Sequence, residues 1–191
     1  MAERNIIGLT GGMCSGKDSW AEFFQEQFGY MHQSTSNIAR DYIREHELGE
    51  PTRDLTREVA THLRNQHGPD YLMRRAIENS GDAERIVVSG IYVVPEALYL
   101  RNIGGSIVNI VANDVLRFDR MSNRKREGET PELEEYHRLM SNDLHSDATD
   151  QRLSDVIDLA DYSIDGSIPI REVETCKKMA REVLNLIAAQ R

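Results

Sequence analysis

Residues 6–20, I-I-G-L-T-G-G-M-C-S-G-K-D-S-W, limit what this chain can fold into more than any other stretch of it. An apolar run of strand length at residues 6–10 enters a glycine-rich turn spaced G-x-x-x-x-G-K, with Gly11, Gly16 and Lys17 in register, and an amphipathic helical pattern follows at once. Strand, glycine turn, lysine and helix in that order predict a phosphate-binding P-loop. Backbone N–H groups along Gly11, Gly12, Met13, Cys14, Ser15 and Gly16 can converge on phosphate oxygens only where side chains stay clear, and the positive end of the following helix favours an anion. Lys17 supplies a mobile point charge for the outer phosphates. The serine or threonine that would follow the lysine and hold Mg²⁺ is replaced by Asp18, with Ser19 behind it. A carboxylate is a harder and stronger ligand than a hydroxyl, so Asp18 and Ser19 are the expected metal ligands. The competing role for Asp18 is that of a first-turn acid complementing the helix dipole. Cys14 reads as a small filler in the loop and gives no sign of a catalytic thiol.

The length of 191 residues suits one domain, spanning residues 1–191, with a sizeable core and small mobile insertions. Thirty-two acidic against 23 basic residues give a net charge of −9, which argues against nucleic acid or an anionic membrane as the main partner and makes any basic cluster stand out. Cys14 and Cys176 lie far apart without metal-ligand spacing, as expected of a reduced, cytoplasmic protein. The polar start of the chain and the lack of a long apolar run predict neither a signal peptide nor a membrane span.

Helical periodicity over residues 19–28 places Trp20, Phe23, Phe24 and Phe28 on a core-facing stripe, ended by Gly29. A short strand at 30–33 leads into a helix opened by the capping-type residues of S-T-S-N. Helices are expected at about 55–66, 71–79, 95–101, 131–144, 150–160 and 170–189, and strands at 86–89, 106–111 and 161–164. Between them Asn113 or Asp114 caps a basic helix reaching about 127, and Pro131 suits a first-turn position. Strands alternating with helices predict an α/β fold, a parallel sheet covered on both faces.

Arg117, Arg120 and Arg124 fall at i, i+3 and i+7 on one helical face, with Lys125 and Arg126 beside them. Guanidinium forks suit the negative charge spread over a phosphoryl group in transfer, while pairing with Glu127, Glu129 and the acids that follow is the purely structural alternative. Arg40 lies one turn inside the helix that begins at the S-T-S-N segment, where it could grip an acceptor's phosphate or pair with Asp41 or Glu45.

These residues carry a family resemblance. Residues 34–40, S-T-S-N-I-A-R, resemble the S-T-G-D-x-x-R segment of nucleoside monophosphate kinases, which implies that Arg40, with Ser36 beside it, binds the acceptor. Residues 120–124, R-M-S-N-R, are similar to the lid pattern R-x-x-x-R, which implies that Arg120 lies on the adenine of ATP and Arg124 reaches phosphates. Residues 160–167, A-D-Y-S-I-D-G-S, resemble the late A-D-Y-x-I turn of dephospho-CoA kinases. The whole run looks closest to adenylate-kinase-related, dephospho-CoA-kinase-like P-loop proteins, which implies a three-layer α/β/α P-loop fold with a five-stranded parallel sheet, an acceptor-binding segment at about 34–80 and a lid at about 115–145. The chain departs from the pattern where an aspartate usually ends the strand before Gly90, since Ser89 stands there, and where an arginine often follows, since Tyr92 does. Asp18 is expected to supply the carboxylate that Ser89 lacks. Ser36 stands where dephospho-CoA kinases place a catalytic aspartate, which favours an acceptor phosphate needing no general base.

The expected activity is Mg²⁺-dependent transfer of the γ-phosphoryl of ATP to a small acceptor, a nucleoside or deoxynucleoside monophosphate, with Lys17, Arg120 and Arg124 as the catalytic cations. Dephospho-CoA-kinase-like transfer to a hydroxyl is one alternative. A nucleotide-binding regulatory module without turnover is the other. A signalling GTPase is disfavoured because N-K-x-D is absent.

Overall fold

The computed structural model describes residues 4–124, 132–145 and 153–190. Its centre is β1 (Asn5–Thr10), flanked by β3 (Arg85–Ser89) on one side and β4 (Ser106–Val111) on the other, with β2 (Met31–Ser34) and β5 (Tyr162–Asp165) at the edges. All four pairings are parallel, which gives the five-stranded order β2-β3-β1-β4-β5. Parallel neighbours need a crossover between them, and helices supply it: α1 (Lys17–Phe28), α2 (Thr35–Glu45), α3 (Arg53–His67), α4 (Tyr71–Asn79), α5 (Val94–Asn102), α6 (Asp114–Arg124), α7 (Leu133–His145), α8 (Leu153–Asp158) and α9 (Val173–Ala189).

Alternate side chains of the strands feed two separate cores. Ile7, Leu9 and Val108 pack with Trp20, Phe23 and Phe24 of α1 and with Cys176, Ala180 and Val183 of α9. Ile6, Val88 and Ile107 point the other way, against Met73 of α4, Leu100 of α5 and Val156 of α8. A strand covered on both faces must be apolar at nearly every position, and β1 is buried from Ile6 to Thr10. The α1 aromatics are core contacts, as their spacing predicts, with Trp20 and Phe23 edge to face at 5.4 Å.

The starts of α1 and α9 and one cap are among the departures from expectation. Helix α1 begins at Lys17, two residues before the expected start at Ser19, because Lys17 and Asp18 complete its first turn. Helix α9 begins at Val173, three residues after the expected start, because residues 170–172 turn instead, with the Glu172 N–H donating to the Pro169 carbonyl at 2.9 Å. The hydroxyls opening α2 do not cap it: Ser34 makes no capping bond, and Thr35 Oγ1 donates to the Gly90 carbonyl, tying the start of α2 to the end of β3. Asn113 does cap α6, its Oδ1 accepting from the Leu116 N–H at 2.9 Å. Pro131, expected in the first turn of the next helix, lies outside the described residues.

This topology gathers the strand ends at one edge. A crevice opens outside the carboxyl ends of parallel strands where successive connections diverge, here beside β1, between β3 and β4. Over it stands a small helical group, α2, α3 and α4, with its own core of Ala39, Ile43, Val59, Leu63 and Leu72. On the opposite side α6 and α7 meet the P-loop tip through Met13, Met121, Tyr136 and Met140.

Candidate active site

The loop leaving β1 has the backbone of an anion cradle. Gly11 sits at φ 140° and Gly16 at φ 102°, conformations that side chains resist, and Cys14 takes φ 58° without being glycine. A Cβ on Gly11 would lie 2.5 Å from the Ile110 carbonyl oxygen, and one on Gly12 would strike the Arg117 guanidinium. Gly16 is the N-cap of α1, so no side chain caps that helix and its first-turn N–H groups face the loop. The Ser15 hydroxyl is buried without a hydrogen-bond partner. Lys17 is 7% exposed. Burial opposes its charge, yet Tyr92 and Asp18 outweigh burial and the repulsion of Arg53, and its ammonium is held above the ordinary lysine range. The ammonium lies 5.4 Å from the centre of the Tyr92 ring.

Two clefts meet at Cys14, Lys17 and Asp18. The first, on the β4–α6 side, is lined by Gly16, Ser19, Trp20, Arg120, Asn123 and Gly166 among others. Arg120 fastens this side together: Nη1 donates to the carbonyls of Cys14 at 3.2 Å and Ser15 at 3.0 Å, and Nη2 to Gly166 at 2.7 Å. Arg117, on the same helical face, is buried behind the loop against Gly12, where it pairs with Asp114 and donates to Met140 Sδ at 3.1 Å. Arg124 ends α6 but its side chain, like Lys125 and Arg126 entirely, lies outside the described residues.

The second cleft runs under α2 and α3 and holds most of the site's charge. Ser36 and Arg40 line it together with Arg53, Arg57 and Arg64 of α3. Arg40 donates to Asn37 within its own helix, at 3.0 Å, while Asp41 pairs with Arg44 on the outer surface. The sequence reading missed the α3 arginines. Their spacing of i, i+4 and i+11 on one helical face was the available signal, stronger for standing in an acidic chain. Arg64 is the deepest, 8% exposed, with Nε and Nη2 each 2.9 Å from Oε1 of the fully buried Glu96. Burial pushes the Glu96 carboxyl up, and Arg64 and the Tyr92 backbone pull it back without cancelling the rise. Arg64 Nη1 is buried without a hydrogen-bond partner. Among the described residues the one carboxylate lining this cleft is Asp18.

Asp18 and Ser89, 71 residues apart, are hydrogen-bonded: Ser89 Oγ donates to Asp18 Oδ1 at 2.8 Å. Behind them His32 Nε2 lies 3.1 Å from the same hydroxyl. Burial lowers the His32 imidazole below its ordinary range, with Asp18 and Glu22 opposing.

The residues fit a triphosphate. The glycine backbone, the uncapped helix end, the unpartnered Ser15 hydroxyl and the buried Lys17 all present donors to an anion. For Mg²⁺ the fit is to a shared site, since among the described residues no group of three or more His, Cys, Asp and Glu could hold a metal alone. Mg²⁺ bound through one or two protein ligands and nucleotide phosphates needs no such cage, and Asp18 with Ser19 meets that need.

The profile of a family described as "AAA domain" matches residues 7–140. No curated protein sequence matches the chain. Among solved structures, shikimate kinase from Acinetobacter baumannii in complex with shikimate superposes with a TM-score of 0.61 at 16% identity, covering 100% of this chain and 96% of its own. A gluconokinase from Sinorhizobium meliloti gives 0.55 at 18%, covering 100% of both chains. Shikimate kinase from Aquifex aeolicus gives 0.54 at 17%, covering 96% of each. These likenesses establish the fold, a P-loop α/β/α architecture. No helix among the described residues is long and apolar enough to cross a membrane.

Proposed function

The chain belongs to the AAA domain family, and we propose that within it the protein is a Mg²⁺-dependent kinase moving the γ-phosphoryl of ATP to a small anionic acceptor, most simply a nucleoside or deoxynucleoside monophosphate. The observation that carries this reading is the junction of the two clefts at Lys17 and Asp18, one bounded by Arg120 and the α1 N-terminus, the other by Arg40, Arg53, Arg57 and Arg64. A donor in the first and an acceptor in the second would bring their phosphates together at the P-loop lysine.

Each residue then has a task. The backbone of Gly11 to Gly16 and the Lys17 ammonium hold the donor phosphates, and Asp18 with Ser19 holds Mg²⁺. That ion, when bound, neutralises charge developing between the outer phosphates. Arg40, with Ser36 beside it, and the α3 arginines grip the acceptor's anion and orient it. Arg120 exchanges carbonyls for the donor as the lid settles, with Arg124 closing over the transferring group. An ionised acceptor phosphate needs alignment and charge neutralisation and no base, which suits a cleft holding one carboxylate.

A second reading, transfer to a hydroxyl of an anionic acceptor, is favoured by the fold neighbours, whose names are shikimate kinase and gluconokinase. Asp18 would then double as the base. Either reaction would be that of a cytoplasmic enzyme using ATP. The deciding experiment is coupled ADP release over nucleoside monophosphates, deoxynucleotides, dephospho-CoA and hydroxylated carboxylic acids, with Lys17→Ala as blank. Stimulation by a monophosphate supports the first reading, and stimulation by a hydroxyl acceptor alone supports the second. ATP binding without stimulation by any of them would favour a regulatory module.

A further inference from the structure

A third cleft, of about 130 Å³, opens on the reverse of the P-loop, and neither Lys17 nor Asp18 lines it. Ser15 of the loop does, with Asn109 and Ile110 of β4, Arg117 of α6, Met140 of α7 and Ile157 of α8. Two polar atoms on these residues are orphans. Ser15 Oγ and Arg117 Nε are buried without a hydrogen-bond partner, in residues 1% and 9% exposed. A buried donor left unpaired costs about 1–3 kcal/mol, so two of them on one cleft point to something that accepts from both.

The polar groups converge. A methyl group added to Gly11 would lie 2.8 Å from Ser15 Oγ and 3.4 Å from Asn109 Oδ1, so hydroxyl and amide share one small space beside β4. One added to Gly12 would strike the Arg117 guanidinium, which sets that cation against the same turn of the loop. Arg117 Nη2 pairs with Asp114 and Nη1 donates to Met140 Sδ, leaving Nε as the donor without a partner. The Asp114 side chain is 71% exposed, so solvent screens its charge and the guanidinium keeps a field for an anion. Among the described residues no carboxylate lines this cleft, and Arg117 is the one cation. A single positive charge suits a monoanion better than a phosphate dianion, and Ile110, Met140 and Ile157 offer apolar surface to a hydrocarbon body.

We propose that this cleft binds a small organic monocarboxylate, its oxygens accepting from Arg117 Nε, the Ser15 hydroxyl and the Asn109 amide, and its short hydrocarbon part resting on Ile110, Met140 and Ile157. The site is separate from the two clefts that meet at Lys17 and does not rest on the kinase reading. It is coupled to them through Ser15, whose hydroxyl has a single proton to give. A carboxylate that takes this proton withdraws it from a nucleotide in the cradle, and it adds negative charge behind a loop that must receive more. Carboxylate and triphosphate therefore weaken one another, by the same factor in each direction.

The test titrates the full chain with butyrate at constant ionic strength, followed by calorimetry and ligand-observed NMR. Butyrate should saturate one site, and its affinity should fall on the order of 10-fold or more in Arg117→Met and in Asn109→Leu. Asn109 is only half buried, so its variant keeps the test alive if loss of Arg117 damages the fold. Lys17→Ala should still bind butyrate, whereas a carboxylate lodged in the phosphate cradle would be lost with that lysine. With butyrate saturating, the Kd of a nonhydrolysable ATP analogue should rise roughly 5-fold or more in the wild type and stay unchanged in Asn109→Leu. An analogue Kd indifferent to butyrate would overturn the coupling. Loss of butyrate binding in Lys17→Ala, undiminished binding in both Arg117→Met and Asn109→Leu, or equal affinity for chloride and inorganic phosphate would overturn the site. So would the absence of any saturable butyrate binding, which would leave the cleft to water.

Discussion

Replacing Arg64 by methionine removes the cation of a buried ion pair. The side chain is 8% exposed and places two nitrogens 2.9 Å from one oxygen of Glu96, itself wholly buried. Methionine fills much of the same space but leaves a carboxyl group without its cation. Removing one partner of such a pair costs about 3–5 kcal/mol when the survivor stays charged. Glu96 has a cheaper course, which is to take up a proton, because burial already pushes its carboxyl upward and Arg64 is the main group opposing that push.

The cost can then be worked from proton linkage. In the unfolded chain a glutamate titrates near 4.3, and keeping it neutral in the native state costs about 1.36 kcal/mol for each pH unit above that. Measured against a wild type whose Glu96 stays ionised, Arg64→Met then costs at most about 4 kcal/mol at pH 7 and about 1 kcal/mol at pH 5, and less to the extent that Glu96 is already raised beside Arg64. The sign follows from proton counting: the native variant binds one more proton than its unfolded chain, so its stability falls as pH rises. The wild-type protein carries the same slope only to the extent that Arg64 leaves Glu96 raised. In a domain of this size the loss corresponds to a fall in melting temperature of roughly 7–15 °C at pH 7 and roughly 2–4 °C at pH 5. Urea denaturation at both pH values measures it directly, and Arg64→Met with Glu96→Gln should remove the pH dependence. A loss equal at pH 5 and pH 7, or below about 1 kcal/mol at pH 7, would refute the reasoning.

Lys17→Ala should weaken binding of the ATP analogue by roughly 10- to 100-fold, the value of a charge-assisted contact to phosphate, with little change in melting temperature. Isothermal titration against the wild type measures this. Arg40→Ala should raise KM for the acceptor about 10-fold or more and leave KM for ATP unchanged, read from initial rates with each substrate varied in turn. Gly166→Ala should cost about 1–3 kcal/mol by thermal denaturation and weaken nucleotide binding, because its new methyl group would lie 2.4 Å from the Ser15 carbonyl oxygen, backbone that cannot swing away.

What the sequence made legible follows the reach of each signal. The P-loop, β4 and α4 depend on runs of fewer than a dozen residues, and their periodicity and glycine spacing place them without tertiary information. The α3 arginines depend on packing. Among Asp54 and Glu58 they read as one more mixed surface, and come to line a cleft only because α2, α3 and α4 close over the sheet edge. Glu96, beside Pro95 in the first turn of α5, has the local signature of an exposed acid complementing a helix dipole, and only the docking of Arg64 makes it a buried counter-ion. Arg120 was legible as a candidate cation for the site. Its three carbonyl partners were not, since backbone acceptors leave no mark in a sequence.

Asp18 and Ser89 belong to a third kind, visible as two anomalies whose relation was not. Along the chain they are an acid after the P-loop lysine and a hydroxyl at a strand end. In the fold β1 and β3 are adjacent and in parallel register, and both the loop leaving β1 and the end of β3 open at the same edge. A carboxylate hung from either element reaches the same few ångströms of space, so the fold constrains where the charge is needed without dictating which strand's continuation supplies it. The 2.8 Å bond between the two side chains is the physical form of that equivalence.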